Sequence, residues 1–230
     1  MATYTTGAPV AALDTDTRAQ FVLRTYIHLF GAILLFAGIE YVLFMTGAAE
    51  TIASAMLSVN WLLILGGFVV VSWFASRAAH QAVSPAAQYA ALIGFVAAEA
   101  LIFVPLLFVA AVYVGPDVIN KAAWVTLLGF AGLTGVVFMT RKDFSFLGGL
   151  LRWGFVMALV LIVVGVLFGL NLGTWFSVAM IALAGGAILY DTSNVLHHYP
   201  EDRYVAASLE LFASVALMFW YVLRLFMSRD

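Results

Sequence analysis

The chain has 230 residues, of which 65% are hydrophobic and only 10% are charged, and its formal net charge is -2. Soluble domains are nearer half apolar and a quarter charged, so this composition indicates an integral membrane protein. There is no cysteine, which excludes disulfides, thiol catalysis and Cys-ligated metals, and no basic patch points to nucleic acid as a partner.

The first 20 residues are polar to mixed and lack the basic-then-apolar pattern of a signal peptide. We therefore predict a cytoplasmic tail over residues 1–20, disordered or lying at the surface, and a membrane domain over residues 21–230. A membrane-spanning helix needs about 20 mostly apolar residues. Seven runs meet this length, and they predict an all-α protein with seven transmembrane helices: 21–46, 60–79, 86–113, 122–140, 146–170, 174–196 and 204–227.

The basic residues near the ends of the spans predict the orientation. If the N-terminus is cytoplasmic, seven of them lie on the cytoplasmic side: Arg18, Arg24, Arg77, Arg141, Lys142, Arg152 and Arg203. Only Lys121, Arg224 and Arg229 lie outside, so we expect the N-terminus inside and the C-terminus outside. The two C-terminal arginines argue against a C-terminus on the outside. An even number of spans, with the last apolar run re-entrant, is therefore an alternative.

Two carboxylates occur in consecutive apolar runs, where an ionised group costs at least a few kcal/mol. Asp191 lies within about two turns of the inner end of the sixth span, and Glu210 lies about 9 Å inside the seventh at 1.5 Å per residue. Arg77 is near the inner end of the second span, and Glu99 is nearer the middle of the third. We expect these four side chains to converge in the cytoplasmic half of the bundle.

Intramembrane carboxylates often serve ion or proton traffic, and such groups can titrate near physiological pH. Asp191 is interpreted as a titratable gate or ion ligand, with Arg77 as its counter-ion. The alternatives are that Asp191 and Arg77 are interface charges, and that Glu210 and Glu99 are hydrogen-bonded structural groups. The small residues Gly185–Ala187 indicate close helix packing just before Asp191.

Enzyme signatures are missing from the sequence. There is no HExxH, no GxSxG and no GxxxxGK[ST]. The only lysines, Lys121 and Lys142, fall in predicted loops, which excludes a retinal Schiff base within a span. Tyr190-Asp191 is not followed by the GxGD of intramembrane aspartyl proteases. We therefore expect a protein that is not an enzyme.

Two segments resemble the signature segments of the Bax inhibitor-1 family. TRKDFSFLGGLL at residues 140–151 is similar to the segment that opens the family's fifth span, and GGAILYDTSNVL at residues 185–196 is similar to its GYILYDTSRII segment. FVLRTYIHLFGAILL at 21–35 and AAEALIFVPLLF at 97–108 resemble its first and third spans.

This resemblance implies a central C-terminal helix surrounded by the other six. It also implies, for some members, a pH-sensitive calcium leak in which two aspartates share a proton and a second-span arginine acts as a latch. Asp191 matches the first aspartate, but Ser214 occupies the position of the second. Glu210 lies one turn before Ser214 on the same face, so we expect it to serve as the second carboxylate.

The first functional hypothesis is a pH-sensitive calcium or cation leak channel, or ion-flux regulator, of the bacterial inner membrane. Asp191 and Glu210 would make transient contacts with calcium, a hard cation that prefers oxygen ligands, and no tightly bound cofactor is expected. The second hypothesis follows from a resemblance to the bacterial YccA-like subgroup, whose members modulate the membrane protease FtsH. In that case the N-terminal tail would be the segment that the protease grips.

Overall fold

The computed structural model describes residues 8–81 and 84–228, and seven of its helices are long and apolar enough to cross a membrane. This confirms the all-α, seven-span prediction. Residues 1–7 of the predicted tail and Arg229 lie outside the described residues. The helices are α1 Thr15–Met45, α2 Ala48–Leu57, α3 Trp61–Gln81, α4 Pro85–Val109, α5 Pro116–Thr140, α6 Leu147–Phe168, α7 Gly173–His197 and α8 Tyr204–Met227.

The helix ends follow from local capping. Helix α1 begins six residues before the boundary predicted at residue 21, because the Asp14 carboxylate accepts hydrogen bonds from the backbone N–H groups of Asp16 and Thr17 at 3.1 and 3.0 Å. Ser84 caps α4 in the same way, with Pro85 in the first turn. Helix α5 starts at Pro116, directly after Gly115, whose φ of 120° an L-residue rarely adopts.

The short helix α2 was not predicted, because ten residues are too few to form a span. Its buried residues Ala49 and Ala53 pack in one cluster with Val104 of α4. Pro105 lies inside α4, and a π-helical turn over Ala110–Val114 continues the span to Gly115. Helix α2 therefore covers the second half of α4 rather than forming a free loop.

Helix α8 is the most buried span. In its most apolar 18-residue stretch 72% of the residues are buried, against 6% for α3. It packs against α1, α3, α4, α5 and α7, whereas α6 packs mainly on α7. An inner position for the last helix thus follows from its burial, while its enclosure by all six other spans stays a prediction.

The small residues of α7 allow the close packing predicted for them. A Cβ atom on Gly185 would lie 3.3 Å from Leu133 of α5, and one on Gly186 would lie 3.3 Å from Leu151 of α6. Both neighbours approach more closely than a larger side chain would permit. This packing fixes α7 between α5 and α6 one to two turns before Asp191.

We call the end of the bundle at which α1, α4, α6 and α8 begin the N-terminal face. Deeper in the bundle, a group of five aromatic residues, here called the aromatic layer, joins α1, α3, α4 and α8: Phe36, Trp61, Phe103, Phe219 and Trp220. The Phe103 ring lies 5.1 Å from Phe36, 5.6 Å from Phe219 and 4.9 Å from Trp220 between centroids. Ring pairs at these distances stabilise packing beyond their buried area.

Replacing Phe103 by Ala should lower the free energy of unfolding in detergent by about 2–3 kcal/mol. This is less than a buried Phe costs in a soluble core, because the membrane is as apolar as the protein interior and mainly the packing is lost. The control is Phe30→Ala on α1, whose ring is 63% exposed and which should change stability little. Equal losses in the two variants would contradict a packing role for the aromatic layer.

Candidate functional site

An open pocket of about 560 Å³ lies at the N-terminal face and contains both carboxylates predicted from consecutive spans. It is lined by His80, Ser145, Tyr190, Asp191, Asn194, His198, Tyr199, Pro200 and Glu210. Asp191 and Glu210 are half-buried, and both line this pocket. The structure therefore brings these two predicted residues to one site.

Asp191 is held by Ser214, which lies where the sequence resemblance implied a second aspartate. The Ser214 hydroxyl of α8 donates a hydrogen bond of 2.5 Å to the Asp191 carboxylate of α7. Ser214 is itself buried. Where a second aspartate would repel Asp191 or share its proton, the serine supplies a neutral donor, and the bond ties α7 to α8.

Glu210 of α8 is held by a different helix, α3. Its Oε1 atom accepts a hydrogen bond from the Ser76 hydroxyl at 2.6 Å and lies 3.1 Å from Nε2 of His80. Both partners belong to α3 and are one turn apart, so they share a face of that helix. The side chains of His80 and Glu210 are 39% and 30% exposed, which leaves this pair open to water.

The prediction that Arg77 is the counter-ion of Asp191 is wrong for this structure. The Arg77 side chain is exposed and its guanidinium lies 5.4 Å from the centroid of the Trp73 ring. The reason is helical phase: around the axis of α3, Arg77 is about 100° from Ser76 and about 60° from His80, so it lies to one side of the face that contacts α8.

The prediction that Glu99 converges on the same site is also wrong for this structure. Glu99 is buried, at 7% exposure, but it does not line the pocket. On α4 it is one turn from Phe95 and one turn from Phe103, and those rings contact Phe212 and Phe219 of α8. Glu99 is thus enclosed between aromatic contacts deeper in the bundle.

The beginning of the chain docks beside the pocket through Tyr199. The backbone N–H of Val10 donates to the Tyr199 carbonyl at 2.9 Å, and the Val10 side chain is fully buried. The Tyr199 ring stacks on His80, with centroids 5.9 Å apart and planes 15° apart, and on Phe21 at 6.3 Å. Burial, together with the nearby carboxylates, raises the pKa of Tyr199 well above its ordinary value, so its hydroxyl stays neutral.

The two segments that carry the family resemblance contact each other. The Ser193 hydroxyl of α7 accepts a hydrogen bond from the Phe144 backbone N–H at 2.8 Å and donates to Asp143 at 3.3 Å. His198 Nε2 lies 3.0 Å from the other oxygen of Asp143. The loop between α5 and α6 is therefore fastened to the end of α7, one turn beyond Tyr190 and Asp191.

The loop that contains Asp143 also stabilises the ionised form of its carboxylate. The Ser145 backbone N–H donates to its carboxylate at 2.8 Å, and this bond, with smaller contributions from the Ser145 and His198 side chains, lowers the pKa of Asp143 to about 2. Because the folded-state pKa lies below the ordinary 3.8, the stabilisation is complete above that value and is lost as the pH falls toward 2. The fastening of the loop therefore persists throughout the physiological range.

Sequence reasoning missed Ser76, His80 and the contact between Asp143 and Ser193. A usable signal existed, since Ser76 and His80 have i, i+4 spacing at the inner end of the second predicted span. Throughout residues 8–81 and 84–228, no group of three or more His, Asp or Glu side chains is arranged to hold a metal ion. The pocket thus brings together two separately held carboxylates and two histidines, His80 and His198.

Comparison with known proteins agrees with the resemblance seen in the sequence. The family model described as "Inhibitor of apoptosis-promoting Bax1" matches residues 18–230. "Modulator of FtsH protease YccA" of Escherichia coli (strain K12) and "Inner membrane protein YccA" of Escherichia coli O6:H1 are each 38% identical over 117 residues, which is 50% of this chain. The match covers 53% of each of those proteins, so this chain spans about half their length. "Bax inhibitor 1" of Schizosaccharomyces pombe is 29% identical over 226 residues, which is 94% of this chain and 79% of that protein.

Replacing Ser193 by Ala should lower the free energy of unfolding by about 1–2 kcal/mol, because the Phe144 N–H loses its acceptor. Amide hydrogen exchange in residues 141–146 should become faster at the same time. The control is Ser208→Ala, which removes a buried hydroxyl bonded only to Val205 of its own helix at 2.7 Å. Unchanged exchange in the loop of the Ser193 variant would show that the two segments are not coupled.

Proposed function

This chain belongs to the Bax inhibitor-1 family, and we propose that it is a proton-responsive regulator of cation flux in the bacterial inner membrane. The observation that carries the proposal is the pocket at the N-terminal face, where Asp191 and Glu210 lie together. The membrane follows by analogy from the relative named as an inner membrane protein and from the seven apolar helices.

Protonation offers a physical route to gating at this pocket. The carboxylate of Asp191 accepts from Ser214 and joins α7 to α8, while the carboxylate of Glu210 accepts from Ser76 and approaches His80, which joins α3 to α8. Hydrogen bonds to an ionised acceptor are about twice as strong as neutral ones. Protonating either carboxylate therefore loosens a neighbouring helix from α8 and shifts a closed–open equilibrium.

The cation in this proposal is cargo, and calcium is the species that the ligand chemistry suits. Calcium prefers carboxylate and other oxygen ligands, and transient contact with Asp191 and Glu210 needs no closed coordination shell. The aromatic layer lies farther along α8, with Trp220 ten residues or about 15 Å beyond Glu210. In this proposal the aromatic layer blocks the path from the pocket to the opposite face, and we assign the present conformation to the closed form.

Calcium entry into proteoliposomes should depend on pH between pH 6 and 8, and Asp191→Asn and Glu210→Gln should each flatten that dependence. The reason is that each substitution fixes one carboxylate in an uncharged form. The matched control is Glu50→Gln on α2, an exposed carboxylate distant from the pocket in sequence, which should leave the profile unchanged. The flux proposal fails if the wild-type protein gives no flux above that of empty vesicles.

A second candidate function, modulation of a membrane protease, is favoured by a specific finding. The relative of Escherichia coli (strain K12) is named as a modulator of the protease FtsH. Here the segment that precedes α1 is anchored at Val10 beside the pocket, so a partner that binds the chain's beginning would act next to Asp191 and Glu210. On this reading the chain would influence the protease without transporting an ion.

Deleting residues 2–8 should abolish co-purification with FtsH and relieve any effect of the chain on turnover of an FtsH substrate, because the segment outside the Val10 anchor would be lost. A variant in which residues 2–8 are replaced by seven glycine and serine residues keeps the length of the segment and removes its side chains. It tests whether FtsH recognises the sequence of the segment or only its length. Undiminished co-purification and unchanged turnover in the deletion variant would remove the protease reading.

A further inference from the structure

A second polar cluster, separate from the pocket, occupies the surface where α1, α4 and α8 meet. His28 Nε2 lies 2.8 Å from the Tyr89 hydroxyl, and that hydroxyl lies 3.4 Å from the hydroxyl of Tyr204. Nδ1 of His28 donates to the Arg24 carbonyl at 2.6 Å. The Arg24 guanidinium lies 5.6 Å from the centroid of the Tyr204 ring. We call these four residues the α1–α4 cluster.

The surroundings of this cluster are exposed and apolar. On α1 an exposed apolar stripe runs beside it at helical spacing, consisting of Leu23, Ile27, Phe30 and Leu34. On α4, Ile93 lies one turn beyond Tyr89 and is 53% exposed. Tyr204 is the first residue of α8 and Tyr89 is in the second turn of α4. The cluster thus lies at the level where spans leave the hydrocarbon, with apolar surface on its inner side.

Arg24 is held in place without a carboxylate partner. Its side chain is exposed, and no carboxylate oxygen of the part of the chain that the structure describes lies within 4 Å of its guanidinium nitrogens. The Tyr204 ring supports one face of the guanidinium by a cation–π contact. A planar, permanently charged group with several N–H donors, fixed on an aromatic ring, is suited to bind a phosphate.

We propose that the α1–α4 cluster binds the phosphate of an anionic phospholipid from the leaflet at the N-terminal face. Arg24 supplies the charge and the main donors, Tyr204 holds the guanidinium, and the Leu23–Leu34 stripe with Ile93 accommodates the acyl chains. The apolar surface directly inside the cluster is what favours a lipid over a free phosphate ion. This inference does not depend on the proposed cation flux.

The lack of a carboxylate oxygen within 4 Å of the Arg24 guanidinium in the described residues also favours an anionic lipid over a zwitterionic one. A phosphatidylethanolamine or phosphatidylcholine head would bring a cation toward Arg24 without a carboxylate at that distance to receive it. A phosphatidylglycerol head brings only the phosphate and hydroxyl groups, which the arginine and tyrosine side chains can satisfy.

The test is native mass spectrometry of the full chain in detergent, titrated with phosphatidylglycerol and separately with phosphatidylcholine. The wild-type protein should retain phosphatidylglycerol preferentially. Arg24→Gln should weaken that retention about fivefold, which is the effect of removing one basic group near a membrane surface. The matched control is Arg152→Gln on α6, an exposed arginine at the same face, which should leave retention unchanged.

A Tyr204 variant and a competition experiment with inorganic phosphate complete the test. Tyr204→Leu removes the ring that supports Arg24 and should also weaken retention of phosphatidylglycerol; it decides the question if Arg24→Gln does not yield folded protein. Equal retention in the Arg24 and Arg152 variants would overturn the site, as would full competition by inorganic phosphate at millimolar concentration. Retention of phosphatidylcholine as strongly as phosphatidylglycerol would overturn the choice of an anionic lipid.

Discussion

A carboxylate within a membrane span is costly unless hydrogen-bond donors hold it, and here the protein supplies those donors from neighbouring helices even though the pocket is open. In this molecule that constraint determines how three helices meet. Asp191 of α7 takes its donor from Ser214 of α8, and Glu210 of α8 takes its donor from Ser76 of α3. The polar bonds between the spans at the pocket are therefore also the bonds that position its two acids.

Ser214 gives this arrangement different electrostatics from the pair of aspartates that the sequence resemblance implied. Next to a serine donor, Asp191 does not compete with an adjacent acid for one proton, and the second acid lies a turn away at Glu210. The partner beside Glu210 is a histidine and not an arginine. This histidine also stacks on Tyr199, so the contact of Glu210 is linked to the segment that joins α7 to α8.

The spans were predictable because hydrocarbon forces every backbone group into an internal hydrogen bond over about 20 residues, a pattern visible in composition alone. The α2 helix was not predictable in this way, since it is too short to span and depends on packing against Val104. Asp191 and Glu210 were found because acids are conspicuous in apolar runs. The depth of Arg77 along its helix could be counted from the sequence, but its direction around the helix axis could not. That direction depends on which face of the helix packs against its neighbours, and each residue along the helix turns it by about 100°. For this reason the prediction for Arg77 failed.

The fastening of the loop at Asp143 and the docking of Val10 lie at the same end of the bundle. The docking has a mechanical consequence. A pull on the N-terminus is borne first by the buried Val10 and then by the residue it is bonded to, Tyr199, whose ring rests on His80. Tension on the chain therefore reaches His80, the neighbour of Glu210, before the first span is displaced. The resistance to extraction depends on how firmly the Tyr199 ring is held against His80.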